Sequence, residues 1–554
     1  MNQRWGAVAL VAAISFFSGG WLLQRGAAAD GNVYQQARLF DEVLQHVQSY
    51  YVDSLPETEL YRKATDGLLS ELKDPYSELL VGEAYQALAE QTSGNYGGLG
   101  IQIDVRDGWI TVVAPLPETP AERAGIETGD QIIEVDGRST EGWKNDEAVK
   151  ALRGEPGSKV KILVRRTGLE QVLPYELTRE RIHVRSVPSG TMFGDGVGYI
   201  SLNPVAETSA DELAQEIEAM KEKGMRALLL DLRFNPGGLL DQGVQVADLF
   251  LDRGDEIVST RGRARGSSRK FYDQGSQRYE DLPIVVLVNA GSASAAEIIA
   301  GALQDHDRAV VIGTPTFGKG LVQTLFPIAD GVALKLTTAR WFTPSGRTIQ
   351  REAKDEQAQA EQALSESGEL DAPVEPSDTS IDARPVFRTD GGREVRGGGG
   401  IVPDLVIRLD SLSSSEQAFS RALGSGLPAY RDVLTTYALE LKSTGAVTDE
   451  RFTVTPQMLD EVYGRLAEKD VTIPRAVFDG ARGIVGEQLG YEIARYVFGR
   501  TAEFRRRAVD DPQMQAAIAL LRDARTPDDL FALVTAAADT TGPTHAGRTA
   551  PSQR

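Results

Sequence analysis

The chain has 554 residues, 41% of them hydrophobic, and 59 basic against 80 acidic residues give a formal charge of −21. This length predicts three or four domains, and the acidic balance disfavours a nucleic-acid partner, because neutralising phosphates requires clustered Lys and Arg. The absence of cysteine excludes disulfides, thiolate catalysis and cysteine-based zinc sites, and the four histidines show no H-E-x-x-H spacing, so we expect no metal.

The amino terminus carries an uncharged apolar stretch, WGAVALVAAISFFSGGWLLQ, long enough to cross a hydrocarbon core of about 30 Å. Three alanines at residues 27–29 follow it and are typical of a signal-peptide cleavage site. Residues 1–29 are therefore predicted to be a signal peptide or a retained membrane anchor, a buried helix being less favoured. Both leading interpretations predict an extracytoplasmic protein, periplasmic, secreted or tethered to the inner membrane.

Residues 30–92 show helical periodicity, as in LYRKATDGLLSELK, and predict a helical amino-terminal segment. Residues 93–178 contain short alternating strands and two short helices, which indicates a compact β-rich domain. Its opening YGGLGI resembles the carboxylate-binding loop of a PDZ domain, and AERAGIETGDQIIEVDG resembles the middle of one. The amides of Gly98, Leu99, Gly100 and Ile101 are predicted to form a nest for a peptide's terminal carboxylate, against the alternative of a glycine-rich hairpin turn.

Residues 179–410 alternate between continuous apolar strands and amphipathic helices, which predicts a layered α/β core with both sheet faces covered. Within it, LVQTLFPI and VALKLTTARWFTP indicate an antiparallel addition, and residues 352–396 are so acidic and polar that a flexible insertion is expected. Residues 411–540 are predicted to be helical but carry no recognisable chemistry, and 541–554 form a disordered polar tail. The predicted fold class is multidomain α+β.

The segment VLVNAGSASAAEIIAGAL runs from a buried strand through a small-residue turn into a helix. Ser294 lies where the turn enters the helix, where unpaired amides and the helix dipole favour an oxyanion. A serine nucleophile needs a base, and His306 lies about 18 Å away at the far end of the same helix. The base must therefore come from elsewhere.

Lys319 lies in GTPTFGKG, which follows another apolar strand and matches the P-loop spacing G-x-x-x-x-G-K. Gly320 replaces the required Ser or Thr, and a strand follows instead of a helix, so we reject a nucleotide site. Lysine can act as a general base where burial lowers its pKa, and loops at the carboxyl ends of neighbouring strands meet. Ser294 and Lys319 are accordingly predicted to form a Ser-Lys dyad.

A purely structural interpretation remains for each residue. Ser294 and Glu297 match an S-x-x-E capping box, Ser292 is an equally good helix cap, and Lys319 could be a surface lysine. The additional segment DLRFNPGGLL, which ends another buried strand and offers glycine amides, favours the catalytic interpretation.

The segments DLRFNPGG, NAGSASAAEI, GTPTFGKGLVQT and GGIVPD, together with the PDZ-like stretches, resemble the carboxy-terminal processing proteases, or tail-specific proteases, of peptidase family S41. The resemblance spans most of residues 40–410. It implies Ser294 as nucleophile, Lys319 as general base, and Gln323 or Glu297 as the group that orients the lysine. It also implies an oxyanion hole formed by the amides of Gly238 and Ala295, although the sequence does not separate Gly237 from Gly238. The family often has serine where this chain has Ala296, which leaves the nucleophile unchanged.

The predicted function is an exported serine endopeptidase without metal or organic cofactor, whose PDZ domain recognises the apolar C-termini of protein or peptide substrates and gates the site. An adaptor or regulatory protein, a membrane tether and a homo-oligomer are compatible with the sequence, which identifies none of them. Two other function classes remain as alternatives: a catalytically silent PDZ scaffold, which an intact Ser294 and Lys319 disfavour, and a crotonase-like acyl-CoA enzyme, which the export signal and PDZ domain disfavour.

Overall fold

The computed structural model describes residues 33–351, 381, 383–409 and 412–540, with side chains to residue 536. The predicted signal peptide or anchor, most of the predicted insertion and the predicted tail lie outside the described residues. The chain divides into two compact units: Met1–Tyr85 with Gln323–Thr337, and Gln86–Val322 with Thr338–Arg554. Within the described residues, no helix is long and apolar enough to cross a membrane.

The helices and strands of the described chain follow in order. The helices are α1 (33–50), α2 (Glu57–Ser70), α3 (Glu83–Ser93), α4 (Pro120–Arg123), α5 (Asn145–Leu152), α6 (Ser209–Glu222), α7 (Leu240–Asp248), α8 (Ala295–Asp305), α9 (Ser414–Leu423), α10 (Leu427–Thr444), α11 (Pro456–Glu468), α12 (Arg475–Gly480), α13 (Arg482–Ile493), α14 (Arg500–Asp510), α15 (Pro512–Asp523) and α16 (Pro527–Thr540). The strands are β1 (Glu78–Val81), β2 (Asn95–Gly98), β3 (Ile101–Arg106), β4 (Trp109–Pro115), β5 (Gln131–Val135), β6 (Arg138–Ser139), β7 (Lys159–Arg165), β8 (Leu173–Thr178), β9 (Glu180–His183), β10 (Thr191–Met192), β11 (Val197–Ser201), β12 (Ala227–Asp231), β13 (Glu256–Gly262), β14 (Arg269–Tyr272), β15 (Ile284–Val288), β16 (Val310–Gly313), β17 (Leu321–Ala329), β18 (Val332–Phe342), β19 (Val386–Arg388), β20 (Glu394–Arg396) and β21 (Leu405–Val406).

The first unit confirms a helical amino-terminal region, with one difference. Helices α1 and α2 are present, but Glu78–Val81 forms a strand that pairs antiparallel with Val332–Lys335. The Asp74 carboxylate accepts hydrogen bonds from Tyr76 N–H at 3.1 Å and from Ser77 Oγ at 2.5 Å. This turn ends the helical pattern and directs the chain into β1.

The predicted PDZ domain contains a sheet of strand order β3-β4-β5-β7-β8, with β6 paired to β5 and the helices α4 and α5 beside it. Alternating residues of these strands, including Ile110, Val112, Ile132 and Val160, are buried in a core of their own. Strand β3 lies at the edge of this sheet, and α5 lies beside it.

The second unit also contains the predicted α/β core. Its central sheet has the order β10-β11-β12-β15-β16-β21 and is parallel from β11 to β21. Leu228, Leu230 and Val286 point into one core cluster with residues of α6, α7 and α8. Both faces are apolar because the alternate residues Leu229 and Val285 point into a second cluster.

The second face of the central sheet is covered by the C-terminal helices. Ala517, Ile518 and Leu521 of α15 pack with Leu229 and the other alternate strand residues. Helices α9 to α13 instead form a separate core, in which the ring of Phe419 contacts those of Tyr430 and Phe478 edge to face. The predicted helical region is therefore present, and its last three helices belong to the core of the central sheet.

The flexible insertion was predicted to span residues 352–396, but its C-terminal part is folded. From residue 383 the chain is folded, because Val386–Arg388 and Glu394–Arg396 pair antiparallel. Arg393 in this hairpin forms ion pairs with Asp307 at 2.5 Å and Asp404 at 2.6 Å. The hairpin was not predicted because it is short and directly follows a long acidic stretch.

Candidate active site

The candidate site is built on three loops that follow neighbouring strands of the central sheet. The first loop (residues 232–239) follows β12, the second (289–294) follows β15, and the third (314–320) follows β16. These strands are parallel and hydrogen-bonded in this order, so their carboxyl ends lie at one edge of the sheet. The structure thus places the three segments singled out in the sequence at the same edge.

The second loop places Ser294 immediately before helix α8. Ser294 has φ 53° and ψ −115°, an uncommon conformation for a residue with a side chain and one often found at functional sites. Ser292 is fully buried, and its Oγ donates to Leu232 O at 2.8 Å and accepts from Asn289 N–H at 3.0 Å. Ser292 therefore ties the first two loops together and is not the helix cap.

The first loop contacts the second through Asn235 and Gly237. Asn235 O accepts from Ala293 N–H at 2.9 Å, and Asn235 Oδ1 accepts from Gly237 N–H at 2.8 Å. A Cβ at position 237 would lie 2.8 Å from both Ala295 N and Ser294 Cβ, and the φ of Gly237 is +87°. Only glycine permits this approach of the two loops.

The same contacts distinguish the two glycine amides that the sequence left open. The Gly237 N–H is already bound by Asn235. Within the described residues, the N–H groups of Gly238 and Ala295 have no hydrogen-bond acceptor. Gly238 is held in place because Val205 N–H donates to Gly237 O and Leu239 N–H donates to Val205 O, each at 2.9 Å.

The third loop is fixed on both sides of Lys319. Gly318 N–H donates to the carboxylate of Glu297 at 2.7 Å, and Gly320 N–H donates to Gln350 Oε1 at 2.9 Å. Lys319 itself donates its N–H to Glu297 Oε2 at 2.9 Å and accepts from Trp341 Nε1 at 3.0 Å through its carbonyl. The backbone from which the Lys319 side chain extends is therefore held by hydrogen bonds along its length.

The segment GGIVPD and Arg351 complete the support of this loop. The guanidinium of Arg351 donates to Phe317 O at 2.8 Å and to Thr316 O at 3.0 Å. Ile401 N–H donates to Thr316 Oγ1 at 2.6 Å. A Cβ at Gly400 would lie 2.3 Å from Thr316 O, so the glycine permits this segment to lie against the loop.

Glu297 connects the second loop with the third. It is fully buried and accepts hydrogen bonds from Ser294 N–H at 2.8 Å, Thr316 Oγ1 at 2.5 Å, and the N–H groups of Gly318 and Lys319. Burial raises the pKa of Glu297 above its usual value, while these hydrogen bonds act in the opposite direction. The glutamate does more than cap a helix, because one carboxylate holds the backbone of both Ser294 and Lys319.

Two other residues considered in the sequence lie elsewhere. Gln323 is on β17 in the first unit, where its Nε2 donates to Thr337 Oγ1 at 3.4 Å. Its predicted role in orienting Lys319 stays a prediction. His306 follows the C-terminal end of α8 and contacts Asp390 and the carbonyl of Glu256. Within the described residues, no group of three or more His, Asp or Glu side chains could hold a metal ion.

The predicted carboxylate-binding loop joins β2 to the edge strand β3. Leu99 O accepts from Ala121 N–H at 3.1 Å, and Gly100 O accepts from Leu116 N–H at 2.8 Å. In a planar trans peptide the N–H points opposite to the preceding carbonyl, so the Gly100 and Ile101 amides face away from these partners. Two of the four predicted amides thus point outward at the start of an unpaired strand edge.

Sequence reasoning missed several residues that organise the site. The side chains of Asn235, Asn289, Gln350 and Arg351 hold the backbone of the loops by hydrogen bonds, and Thr316 Oγ1 donates to the Glu297 carboxylate. Their one common signal is that polar side chains occur in or beside loops that follow buried strands. That signal does not distinguish them from ordinary loop residues.

Comparison with known proteins identifies both domains. A family model for peptidase family S41 matches residues 196–357, and a PDZ domain model matches residues 88–165. The carboxy-terminal-processing protease of Bartonella bacilliformis is 40% identical over 323 residues, which cover 58% of this chain and 74% of that protein. The carboxy-terminal processing protease CtpA of Bacillus subtilis is 37% identical over 321 residues, covering 58% and 68%.

Among solved structures, the photosystem II D1 C-terminal processing protease is 29% identical, with a TM-score of 0.33, covering 56% of this chain and 89% of that chain. The PDZ domain of a carboxy-terminal protease from Vibrio cholerae, solved in complex with peptide, is 27% identical, with a TM-score of 0.16, covering 16% and 98%. The extent and identity of the two sequence relatives establish the family. The chain belongs to the carboxy-terminal processing proteases, serine-type peptidases of family S41 that carry a PDZ domain.

Proposed function

We propose that the chain is an exported serine endopeptidase that cuts protein substrates with a Ser294–Lys319 dyad. The observation that carries this proposal is the buried Glu297 carboxylate, which accepts from the N–H groups of both residues and so keeps their loops together. Within the proposal, residues 93–178 form the PDZ domain, 179–410 the protease core and 411–540 a helical region. The amino-terminal segment serves as signal peptide or inner-membrane tether, which gives a periplasmic location.

The proposed reaction begins with proton transfer from Ser294 Oγ to the neutral amine of Lys319 while the serine oxygen attacks the scissile carbonyl. The N–H groups of Gly238 and Ala295 hold the oxyanion of the tetrahedral intermediate. Their assignment is supported by the engagement of the neighbouring Gly237 N–H with Asn235. The lysine ammonium then protonates the leaving amine, and the acyl-enzyme is hydrolysed by water with Lys319 again as base. Gln323 or Glu297 is the proposed group that orients the lysine.

The dyad is tested by cleavage of an unstructured protein with an apolar C-terminus, followed by intact mass. The full chain in mild detergent is compared with Ser294→Ala and Lys319→Ala. Both variants are expected to lose cleavage while retaining the melting temperature of the wild type. Normal cleavage by Lys319→Ala would place the base elsewhere. Normal cleavage by Ser294→Ala would remove the proposed nucleophile.

Recognition of C-termini is proposed to use the amides of Gly98, Leu99, Gly100 and Ile101. Support comes from the outward direction of the Gly100 and Ile101 amides beside the edge strand β3. Substrates that differ only in a free or an amidated C-terminus test this idea. The amidated substrate is expected to have a higher KM, because it cannot present a carboxylate. Equal KM values for the two substrates would contradict the proposed recognition.

The PDZ domain is also proposed to gate cleavage, since it precedes the protease core in the chain. Replacement of residues 94–168 by a short linker tests the gate. A change in the cleavage rate and in the range of substrates is expected. A variant that folds, cuts at the wild-type rate and selects the same substrates would exclude gating.

A further inference from the structure

An ion pair joins the first loop of the site to the C-terminal helices. Arg233, the second residue of that loop, places its Nη1 2.6 Å from Asp511 Oδ2 and 3.0 Å from Gln513 Oε1. The side chains of Arg233 and Asp511 are only 12% and 19% exposed. The pair is therefore partly shielded from water, where charged hydrogen bonds are stronger than at a surface.

Arg233 is held on its other side by the strand that precedes the loop. Its Nη2 lies 2.7 Å from Asp231 Oδ2, and its own N–H donates to Asp231 Oδ1 at 2.9 Å. Burial alone would lower the pKa of Arg233, but the Asp231 and Asp511 carboxylates raise it above its usual range. Arg233 is thus a charged link between Asp231 at the end of β12 and Asp511.

Asp511 occupies a fixed position because it begins helix α15. Its Oδ1 accepts from the N–H groups of Gln513 and Met514 at 2.9 and 3.0 Å, so Oδ2 remains for Arg233. Gln513 is 1% exposed and donates to Ile407 O at 2.8 Å. The rest of α15 packs into the core against the central sheet. The carboxylate is therefore presented by a rigid element.

The first loop is short between this ion pair and the proposed oxyanion donor. Phe234 has φ +57°, and its backbone is held at both ends: its N–H donates to Asn289 Oδ1 and its carbonyl accepts from Asn203 Nδ2, each at 2.9 Å. Gly237 and Gly238 follow directly after Asn235 and Pro236. Only four residues separate Arg233 from Gly238. A displacement of Arg233 is therefore expected to shift the Gly238 N–H.

We propose that Asp511 is a positioning residue for peptide hydrolysis, which holds Arg233 so that the first loop keeps the Gly238 N–H aligned with Ser294. This inference rests on the proposed function of Ser294 and Gly238. It makes the start of α15 part of the catalytic module, although Asp511 lies more than two hundred residues after Ser294. The alternative is that Asp511 only caps helix α15 and has no effect on catalysis.

The test uses Asp511→Asn in the full chain. Asparagine caps helices as well as aspartate does, so the cap is kept and the negative charge is lost. The matched control is Asp529→Asn at the start of α16, where Asp529 Oδ2 accepts from Arg525 and Thr526 N–H at 3.0 Å. Cleavage kinetics, intact mass and melting temperature are measured for both variants and for wild type.

Because oxyanion donors act mainly in the transition state, Asp511→Asn is expected to lower kcat by about 10- to 100-fold with nearly unchanged KM. Its melting temperature is expected to fall below that of Asp529→Asn, because a shielded ion pair is lost, so kcat is measured at a temperature at which both variants are folded. The kcat of Asp529→Asn should equal that of wild type. An equal kcat for the two variants, or a loss explained by a lower folded fraction, would overturn the proposal.

A double-mutant cycle separates coupling from independent effects. In an Arg233→Gln background, Asp511→Asn is expected to cause no further loss of kcat, whereas independent losses that multiply would overturn the proposal. Ser294→Ala and Lys319→Ala are run beside it. If either of these still cuts, the proposed function fails, and this outcome is distinguishable from a result in which the dyad is required but Asp511 is not.

Discussion

Both oxygens of the buried Glu297 carboxylate accept hydrogen bonds, whereas a neutral amide has only one oxygen to accept them. Among the described residues, the groups that form hydrogen bonds with the carboxylate do so as donors: Ser294 N–H, Thr316 Oγ1, Gly318 N–H and Lys319 N–H. In Glu297→Gln, the NH2 group must face two of these donors. Each donor left without an acceptor costs about 1–3 kcal/mol. We expect the free energy of unfolding to fall by about 2–5 kcal/mol and cleavage to fall more than tenfold.

A closely matched control is available in α9. Glu416 occupies the same S-x-x-E position and accepts from Ser413 N–H at 2.7 Å, but it is only partly buried and this hydrogen bond is exposed. Glu416→Gln should change the free energy of unfolding by less than about 0.5 kcal/mol, as is usual for surface sites. Urea unfolding and cleavage assays compare the two variants. Equal effects at positions 297 and 416 would show that Glu297 acts as a simple helix cap.

Asp273 is expected to make the stability of the folded protein depend on pH. It is 2% exposed, and burial together with the nearby Asp248 carboxylate raises its pKa to about 6. A raised pKa means that the folded state binds the proton more tightly than the unfolded state, so this contribution to stability is complete below about pH 4 and is lost as the pH rises through about 6. Asp273→Asn is expected to raise Tm by about 2–4 °C at pH 7.5.

The Asp273→Asn effect should vanish at pH 4, where the aspartate of the wild type is protonated. Asparagine can still accept the hydrogen bond that Gly275 N–H donates to Asp273 Oδ1 at 2.8 Å. Asp281→Asn at an exposed position serves as the control for the loss of one charge. Thermal melts of the three proteins at both pH values check this, and a Tm difference that persists at pH 4 would refute it.

At the residue scale, Ser294 and Lys319 could be singled out from the sequence because each follows a buried strand within a run of small residues. The supporting residues could not. Asn235 and Asn289 act through hydrogen bonds to backbone groups: their side-chain oxygens accept from the N–H groups of Gly237 and Phe234, and Asn235 Nδ2 donates to Leu202 O. Gly238 could be separated from Gly237 only after the structure showed that Asn235 Oδ1 accepts from the Gly237 N–H.

At the scale of elements, helix α15 behaves as part of the protease core. Ile518 is 3% exposed and packs with residues of the central strands, whereas Val509 on the preceding helix is 69% exposed. Ile518→Ala should lower the free energy of unfolding by about 2–4 kcal/mol, whereas Val509→Ala should leave it nearly unchanged. Hydrogen exchange of β12 and β15 should rise in Ile518→Ala. Unchanged exchange there would show that α15 unfolds independently of the sheet.

The sequence predicted elements well where they alternate in the chain and poorly where their partners are distant. Strands β11, β12, β15 and β16 and helices α6 and α8 follow from apolar runs and helical periodicity. Strands β13 and β14 were missed because β14 pairs with β13, and the other partner of β13 is β18, far along the chain. The position of α15 on the central sheet could not be predicted, since its apolar face fits any core.

At the scale of the whole molecule, the PDZ domain contacts helix α10. Leu439 lies against Gly129, whose φ is +93° and where a Cβ would be 2.3 Å from Leu439 Cδ2. Lys442 Nζ donates to Thr128 O at 3.1 Å. Leu439→Glu would bring a carboxylate beside Glu127 and Asp130. We expect hydrogen exchange around residues 125–130 to rise about tenfold, with no change in the central sheet.

Thr444→Glu adds the same charge to the same helix at an exposed position and serves as the control. Only Leu439→Glu should affect the PDZ domain. If both variants exchange like wild type around residues 125–130, α10 does not hold that turn. If both raise exchange in the central sheet, the helix contributes to global stability instead.

Arg351 and Arg384 lie on either side of residues 352–380, the first part of the predicted insertion, and both donate to the same carbonyl, Gly399 O, at 2.6 and 3.0 Å. The two arginines are therefore held at one point of the fold, and Arg351 also supports the third loop through Phe317 O and Thr316 O. For a flexible connection, each doubling of length costs only about 0.6 kcal/mol in closure entropy. Natural variation in length should concentrate here, and a purification tag or a reporter domain inserted between these arginines should leave proteolysis intact.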